Sequence, residues 1–245
     1  DLAARHGTPL YVYDLAIARQ KAARVEDAFG QRFELHYAIK ANPHPDMIAC
    51  FRDLGYGFDV ASALELERAL SIGVDPKSVG FAGPGKADVG LQRAIEADIG
   101  QINCESAGEL ERIAYFADAQ GREANVALRL NPPNTVKQSG MRMGGGAAPF
   151  GVDVEQAPAL LQRIDELPQI NFVGFHIYAG SQNLKVAPLV ANLSACLELL
   201  VELWPHCPSP PKVLNLGGGF GIPYTSKDEP VDLEAFGAEA QALVA

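Results

Sequence analysis

A lysine follows a short apolar run near the start of the chain, in the order Tyr37-Ala38-Ile39-Lys40-Ala41-Asn42. The run from Leu35 to Ile39 predicts a strand, and Asn42-Pro43 predicts the turn that ends it. A partly desolvated lysine at a strand end can lose its proton and form a Schiff base with a carbonyl compound. The alternative is a structural lysine whose stem lies on apolar surface while its ammonium group reaches water.

Other polar residues and glycines also stand where predicted strands end: Asp59, Arg129, His176, Tyr178, Ser181 and Gly217-Gly218-Gly219. Glycine lets backbone N–H groups approach an anion, so the glycine run predicts a phosphate site or, alternatively, only a tight turn. Asp59 is a candidate carboxylate partner or helix cap. Arg129 can pair with Asp59, orient a cofactor hydroxyl, or form a structural ion pair. His176 and Tyr178 share one strand face, where each is a candidate for the site or for the core.

The elements that must position these side chains alternate between strand and helix. Two capping boxes, Ser62 to Glu65 and Ser106 to Glu109, predict helix starts. Seven strands are each followed by a helix, which predicts a parallel sheet; they cover 35–39, 57–60, 79–82, 99–104, 126–130, 172–178 and 213–216. Eight such units close a barrel with its catalytic groups at the strand carboxyl ends. A doubly wound sheet is disfavoured because no glycine fingerprint follows the first strand.

We therefore expect an α/β fold, a TIM (β/α)8 barrel with seven of its eight strand–helix units present. Residues 1–13 are expected to be a lead-in strand segment, with the strand itself at 8–13, and residues 14–245 the barrel domain. A Schiff-base lysine after the first strand and a phosphate turn after the seventh match the two ends of pyridoxal 5'-phosphate. An aromatic residue between them can lie against its ring.

Composition limits the other functional classes. The chain has 245 residues, 48% hydrophobic and 20% charged, with a formal net charge of -10, which is typical of a soluble protein and argues against a nucleic-acid partner. We expect no apolar run long enough to span a membrane. The cysteines form no C-x-x-C pair, so neither a metal site nor a disulfide framework is predicted, and reduced thiols fit a cytoplasmic protein.

Five motifs together resemble the fold-type III pyridoxal phosphate decarboxylases, which act on diaminopimelate, ornithine, arginine and related amino acids. The motifs are Tyr37 to Asn42, Phe58 to Ser62, Phe150-Gly151-Val152, Gly180-Ser181-Gln182 and Leu216 to Phe220. The resemblance covers residues 8 to about 224 and is of the alanine-racemase-like barrel type. It implies a homodimer with shared active sites and an amino acid substrate.

The resemblance also implies individual roles. Lys40 would carry the cofactor as a Schiff base, and Ser181 with Gly217, Gly218 and Gly219 would hold its phosphate. Asp59 and Arg129 would shape the cofactor site. No metal is implied.

Three features depart from the typical diaminopimelate enzymes. In the run His176-Ile177-Tyr178-Ala179-Gly180-Ser181, Tyr178 takes the place of the histidine that stacks on the pyridine ring, and His176 takes the preceding histidine position. The segment Ser139 to Gly145 is closer to decarboxylases of biosynthetic clusters, some of which act on carrier-tethered amino acids. The Glu-Pro-Gly-Arg motif and the C-terminal β-domain, with its proton donor, do not occur in this chain.

Several alternatives remain open from the sequence. One is an amino acid racemase on the same barrel, and another is a non-catalytic barrel that binds pyridoxal phosphate. A sugar-phosphate barrel enzyme with a structural Lys40 is the third. The leading prediction is α-decarboxylation of a diaminopimelate-, ornithine- or lysine-like amino acid, or of a carrier-tethered one.

Overall fold

The computed structural model describes residues 1–132, 141–142, 149–178 and 180–245. Its strands are β1 (His36–Ala38), β2 (Gly57–Val60), β3 (Val79–Phe81), β4 (Gln101–Cys104), β5 (Ala124–Asn131), β6 (Met141–Arg142), β7 (Val152–Asp153), β8 (Ile170–Ile177), β9 (Gly180–Ser181) and β10 (Val213–Asn215). The main sheet is parallel, in the order β1-β2-β3-β4-β5-β8-β10, with β7 beside β5. Strands β6 and β9 form a separate antiparallel pair.

The helices within these ranges are α1 (Leu2–His6), α2 (Leu15–Phe29), α3 (Pro45–Asp53), α4 (Ala63–Ser71), α5 (Asp88–Glu96), α6 (Ala107–Ala119), α7 (Ala157–Asp165), α8 (Val186–Leu203) and α9 (Leu233–Leu243). A helix follows each of the seven strands in the main sheet order, from α3 after β1 to α9 after β10. The predicted seven strand–helix units and their parallel order are therefore confirmed.

The predicted strand at residues 8–13 is wrong. The chain forms the short helix α1 and then runs irregularly from Gly7 to Asp14. Tyr11, Val12 and Tyr13 are exposed and pair with no strand in the described part of the chain. Aromatic and β-branched residues favour strands only where a neighbouring strand offers a ladder, and this segment has none.

The sheet separates an apolar face from a polar one. Phe58, Leu128 and Phe175 are buried in the main hydrophobic cluster together with the helices. The residues that follow them along their strands, Asp59, Arg129 and His176, point to the opposite face because side chains alternate along a strand. The polar candidates therefore share the inner face of the sheet.

Helix α9 packs across α2, so the last helix lies against the helix that precedes the first strand. Gly237 of α9 lies so close to the Ala28 carbonyl that a Cβ there would overlap it. Gln241 Nε2 donates to the same carbonyl oxygen at 2.8 Å. This contact brings the two ends of the strand order near each other. Among the described strands, β1 and β10 have only one neighbour each.

One apolar helix corrects an expectation about membrane-spanning length. The stretch Val186–His206 is long and apolar enough to cross a bilayer by length and composition alone. Its residues Leu189, Leu193, Cys196 and Leu200 are buried against the rest of the protein. Val201 and Trp204 of the same stretch are exposed, so the helix buries one face against the protein, as a helix packed on a sheet does.

Candidate active site

Lys40 lies in a single 3-10 turn, Ile39–Ala41, directly after β1. The Tyr37 hydroxyl donates to the Asn42 carbonyl at 3.1 Å and thereby ties the two ends of this turn together. Lys40 itself is exposed, so the expected partial desolvation is not found. Its Nζ lies 5.9 Å from the centroid of the Tyr178 ring. Because Tyr178 follows β8, the sheet curls far enough to bring the carboxyl ends of β1 and β8 together.

Asp59 stands beside this turn, on β2, opposite Ala38 in the register. Its Oδ1 is buried without a hydrogen-bond partner in the described residues and lies 3.9 Å from His36 Nδ1. Burial raises the pKa of Asp59, while the nearby His36 and Lys40 oppose that rise. The cap of α4 is Ser62, whose hydroxyl accepts from the Glu65 N–H at 3.2 Å. The helix-cap interpretation of Asp59 is therefore wrong.

Arg129 is buried near the end of β5 and pairs with Glu105. Of the alternatives that the sequence left open, an ion pair is found, but its partner is not Asp59. Its Nη1 donates to Glu105 Oε1 at 2.8 Å. Its guanidinium carbon lies 5.0 Å from the Phe150 ring centroid, a cation–π distance. In the register Arg129 stands opposite His176 of β8.

Three further charged residues, none of them predicted as part of the site, join Arg129 in a buried cluster: Lys86, Glu105 and Glu109. Lys86 Nζ lies 2.9 Å from Glu109 Oε1 and 3.8 Å from Glu105 Oε1. Ser106 caps α6 as predicted, but the Glu109 carboxylate binds Lys86 and the Glu105 N–H, the latter at 2.7 Å. Glu105 could have been found, because it follows β4 directly, as the other candidates follow their strands.

His176 is buried on β8, and its Nδ1 has no hydrogen-bond partner among the described residues. Burial lowers its pKa to about 3, and the positive charges of Arg129, Lys86 and Lys40 add to the effect. The imidazole is therefore neutral at physiological pH.

The glycine run after β10 folds against the loop that follows β8. Gly217 and Gly219 have φ angles of +71° and +85°. A Cβ on Gly217 would lie 2.7 Å from the Ile177 carbonyl oxygen, and one on Gly219 would overlap the Gly180 carbonyl. A Cβ on Gly218 would meet nothing closer than 3.7 Å. Two of the three positions thus require glycine, and the middle one leaves room for a side chain beside the Phe220 ring.

Asn183 fastens the two loops and was not predicted. Its backbone N–H donates to the Gly219 carbonyl at 3.0 Å, and its own carbonyl accepts from Gly221 at 2.8 Å. Ser181 lies in this fastened segment, two residues before Asn183. The N–H groups of Gly218 and Gly219 have no partner in the described residues, which leaves two donors for an anion.

The structure therefore brings the sequence candidates to one rim, at the carboxyl ends of β1, β2, β5, β8 and β10. The divergent segment from Ser139 to Gly145 lies outside the described residues except for Met141 and Arg142.

Relatives of known activity share this architecture. A diaminopimelate decarboxylase of Helicobacter pylori, solved in complex with L-lysine, superposes with a TM-score of 0.91 at 27% identity, covering 99% of this chain and 62% of that one. The enzyme of the same name from M. jannaschii, also with L-lysine, gives a TM-score of 0.90 at 31% identity, covering 99% and 58%.

Two curated relatives differ in substrate. The L-glutamyl-[BtrI acyl-carrier protein] decarboxylase of Niallia circulans is 31% identical over 232 residues, which are 95% of this chain and 54% of that protein. The diaminopimelate decarboxylase of Zymomonas mobilis is 34% identical over 245 residues, 97% and 58% of the two chains. The chain thus spans little more than half the length of these relatives.

The family model described as the pyridoxal binding domain of pyridoxal-dependent decarboxylases matches residues 15–244. That match covers nearly the whole chain. The chain belongs to this family.

Proposed function

We propose that the protein containing this chain is a pyridoxal phosphate-dependent amino acid α-decarboxylase. The observation that carries the proposal is the shared rim. Lys40, the Tyr178 ring and the glycine run lie on three different strand ends, and the curl of the sheet brings them together. Its membership of a pyridoxal-binding decarboxylase family supports the same conclusion.

The residues present fit pyridoxal phosphate. Gly218 and Gly219 offer unpaired N–H groups beside the loop that carries Ser181, as a phosphate needs. The side chains of Asp59 and His176 each have a buried polar atom without a partner in the described residues. Such atoms are rare unless a ligand or water completes them. The Tyr178 ring can lie against an aromatic ligand.

Each residue has its own task in this proposal. Bound pyridoxal phosphate supplies an electron sink for a carbanion at the α-carbon of the amino acid. Lys40 holds the cofactor covalently, and the glycine run with Ser181 holds its phosphate. Asp59 and Arg129 shape the site, while neutral His176 adds no charge to the inner face.

The substrate class is an amino acid like those of the relatives, either diaminopimelate, ornithine or lysine in kind, or a carrier-tethered amino acid. Named relatives of both kinds support these two options. We further propose a cytoplasmic homodimer.

The test reduces the full-length protein with borohydride in the presence of pyridoxal phosphate and maps the modified peptide by mass spectrometry. A pyridoxyl group on Lys40, lost in Lys40→Ala but kept in Lys185→Ala, is the expected result. Lys185 is a suitable control because it is also exposed and precedes α8, not far along the chain from Ser181. No adduct on Lys40 would refute the proposal.

Carbon dioxide release from diaminopimelate, lysine, ornithine and carrier-tethered glutamate then identifies the reaction. Inversion at the α-carbon without carbon dioxide would instead identify a racemase.

A further inference from the structure

The buried cluster of Lys86, Glu105, Glu109 and Arg129 centres on one carboxylate. Glu105 Oε1 accepts from the Gly83 N–H at 2.5 Å and from Arg129 Nη1 at 2.8 Å. Its Oε2 accepts from the Gly151 N–H at 3.2 Å. The Glu105 side chain is only 2% exposed. One buried acid thus joins the turn after β3, the end of β5 and the segment that leads into β7.

The partners of Glu105 are shaped to meet it. Gly151 has a φ of +75°, and a Cβ there would lie 3.0 Å from the Arg129 carbonyl oxygen. Phe150, the residue before it, covers the Arg129 guanidinium. The guanidinium is therefore held between the Glu105 carboxylate on one side and an aromatic ring on another.

Such a cluster needs a reason beyond stability. It contains two acids and two bases, so its formal charges cancel. Replacing a buried ion pair by apolar residues is often neutral or stabilising, because desolvation offsets the attraction. Unlike an apolar side chain, a carboxylate accepts directed hydrogen bonds and so fixes the orientation of each group that donates to it.

We propose that Glu105 is a positioning residue of the cofactor site. It acts through Arg129, whose guanidinium it orients, and it fixes the Phe150-Gly151 turn beside that group. The inference rests on the proposed function, in which Arg129 shapes the site that Lys40 serves.

Glu109 provides a matched control in the same cluster. Its carboxylate binds Lys86 at 2.9 and 3.1 Å and the Glu105 N–H, and it has no contact with Arg129 among the described bonds. Both acids are glutamates and both are buried. Replacing either by glutamine removes one negative charge from the cluster. Only Glu105→Gln removes the charge paired with Arg129 and replaces one of the two oxygens that accept from Arg129, Gly83 and Gly151 with an amide donor.

The experiment measures pyridoxal phosphate affinity and the thermal unfolding midpoint for the full-length protein and its variants. Glu105→Gln is expected to weaken cofactor binding by about tenfold, because the amide oxygen that replaces the carboxylate holds the Arg129 guanidinium less strongly. Both variants are expected to lower the unfolding midpoint by similar amounts, because each removes one charge from the buried cluster. Glu109→Gln is nevertheless expected to change cofactor affinity by less than about threefold. Glu105→Asp, which keeps the charge, is expected to recover part of the affinity and covers the case in which Glu105→Gln fails to fold.

A double-mutant cycle tests whether Glu105 acts through Arg129. If it does, adding Glu105→Gln to Arg129→Gln causes little further loss of affinity. Three results would overturn the inference. They are additive losses of cofactor affinity in the double variant, equal losses in Glu105→Gln and Glu109→Gln, and an unchanged affinity in Glu105→Gln. If borohydride reduction of the wild-type protein leaves no pyridoxyl group on Lys40, the proposed function itself is refuted, and this inference with it.

Discussion

At the scale of single residues, the glycine run shows how backbone geometry specifies an amino acid. Gly219 combines a φ of +85° with a backbone approach that leaves no room for a Cβ beside the Gly180 carbonyl. Gly218, its neighbour, has neither restriction. The same tripeptide therefore contains both a required glycine and a replaceable one.

We predict that Gly219→Ala lowers the free energy of unfolding by about 1–3 kcal/mol, because strain and overlap must both be relieved. Gly218→Ala is expected to change it by less than about 0.5 kcal/mol. Urea unfolding of the two variants checks this. Equal effects at both positions would show that the loop after β8 does not constrain the run.

His176 carries a second prediction at this scale. Its pKa is about 3 in the folded protein, well below the ordinary value of 6.5. The unfolded chain therefore takes up a proton as the pH falls below 6.5, while the folded protein does not until about pH 3. Keeping His176 neutral in the folded protein therefore costs more free energy as the pH is lowered from 6.5 toward 3, and stability falls. Above pH 6.5 this cost disappears.

We expect wild-type protein to lose about 1.6 kcal/mol more of its unfolding free energy than His176→Gln between pH 6.5 and pH 5, with a slope that approaches about 1.4 kcal/mol per pH unit below pH 6.5. Comparing the two proteins cancels the titration of the other groups, such as Asp59 and Glu109, whose raised pKa values act in the opposite direction. If the unfolding free energies of the two proteins changed with pH in parallel, the lowered pKa of His176 would be contradicted.

At the scale of elements, the crossing of α2 and α9 depends on one small residue. Gly237 allows the Ala28 carbonyl to approach the α9 backbone, and Phe29 packs edge-to-face on Phe236 at 5.6 Å. A glycine in a helix interior costs about 1 kcal/mol relative to alanine. Its presence there is explained by the close approach.

Gly237→Ala should therefore destabilise the protein, by about 1–3 kcal/mol, although alanine is the better helix former. Gly108→Ala is the control, since Gly108 lies in α6 with nothing within 4 Å of its Cβ position. That variant should be neutral or up to about 1 kcal/mol more stable. Thermal unfolding distinguishes the two, and a stabilised Gly237→Ala would show that the helices do not cross so closely.

At the scale of the whole molecule, the first residues lie apart from the barrel. Helix α1 has no buried residue, and Tyr11 is 85% exposed in irregular backbone. Tyr115 is similarly exposed, at 69%, but belongs to the well-packed α6. The two tyrosines differ mainly in how firmly their backbone is held.

We predict that brief chymotrypsin treatment of the native protein cuts after Tyr11 or Tyr13 well before Tyr115, because proteolysis needs a locally unfolded backbone. Mass spectrometry of the fragments identifies the first cut. Protection of Tyr11 and Tyr13 would show that another part of the full-length protein or a second subunit covers them.

The sequence by itself determined the order of the seven units and most of the strand-end candidates. Both follow from local signals, since hydrophobic period, turn residues and capping serines each act within a few residues. The same local view misplaced residues 8–13, whose composition favours a strand that has no neighbour to pair with.

Only the tertiary structure decided the partners of the charged residues. Arg129 binds Glu105, not Asp59, because the sheet register and the Gly151 turn place that acid beside it. Likewise, Lys40 meets Tyr178 only because the sheet curls, although 137 residues lie between them in the chain. Pairing between side chains far apart along the chain depends on sheet register and curvature, and neither can be read from a neighbourhood of a few residues.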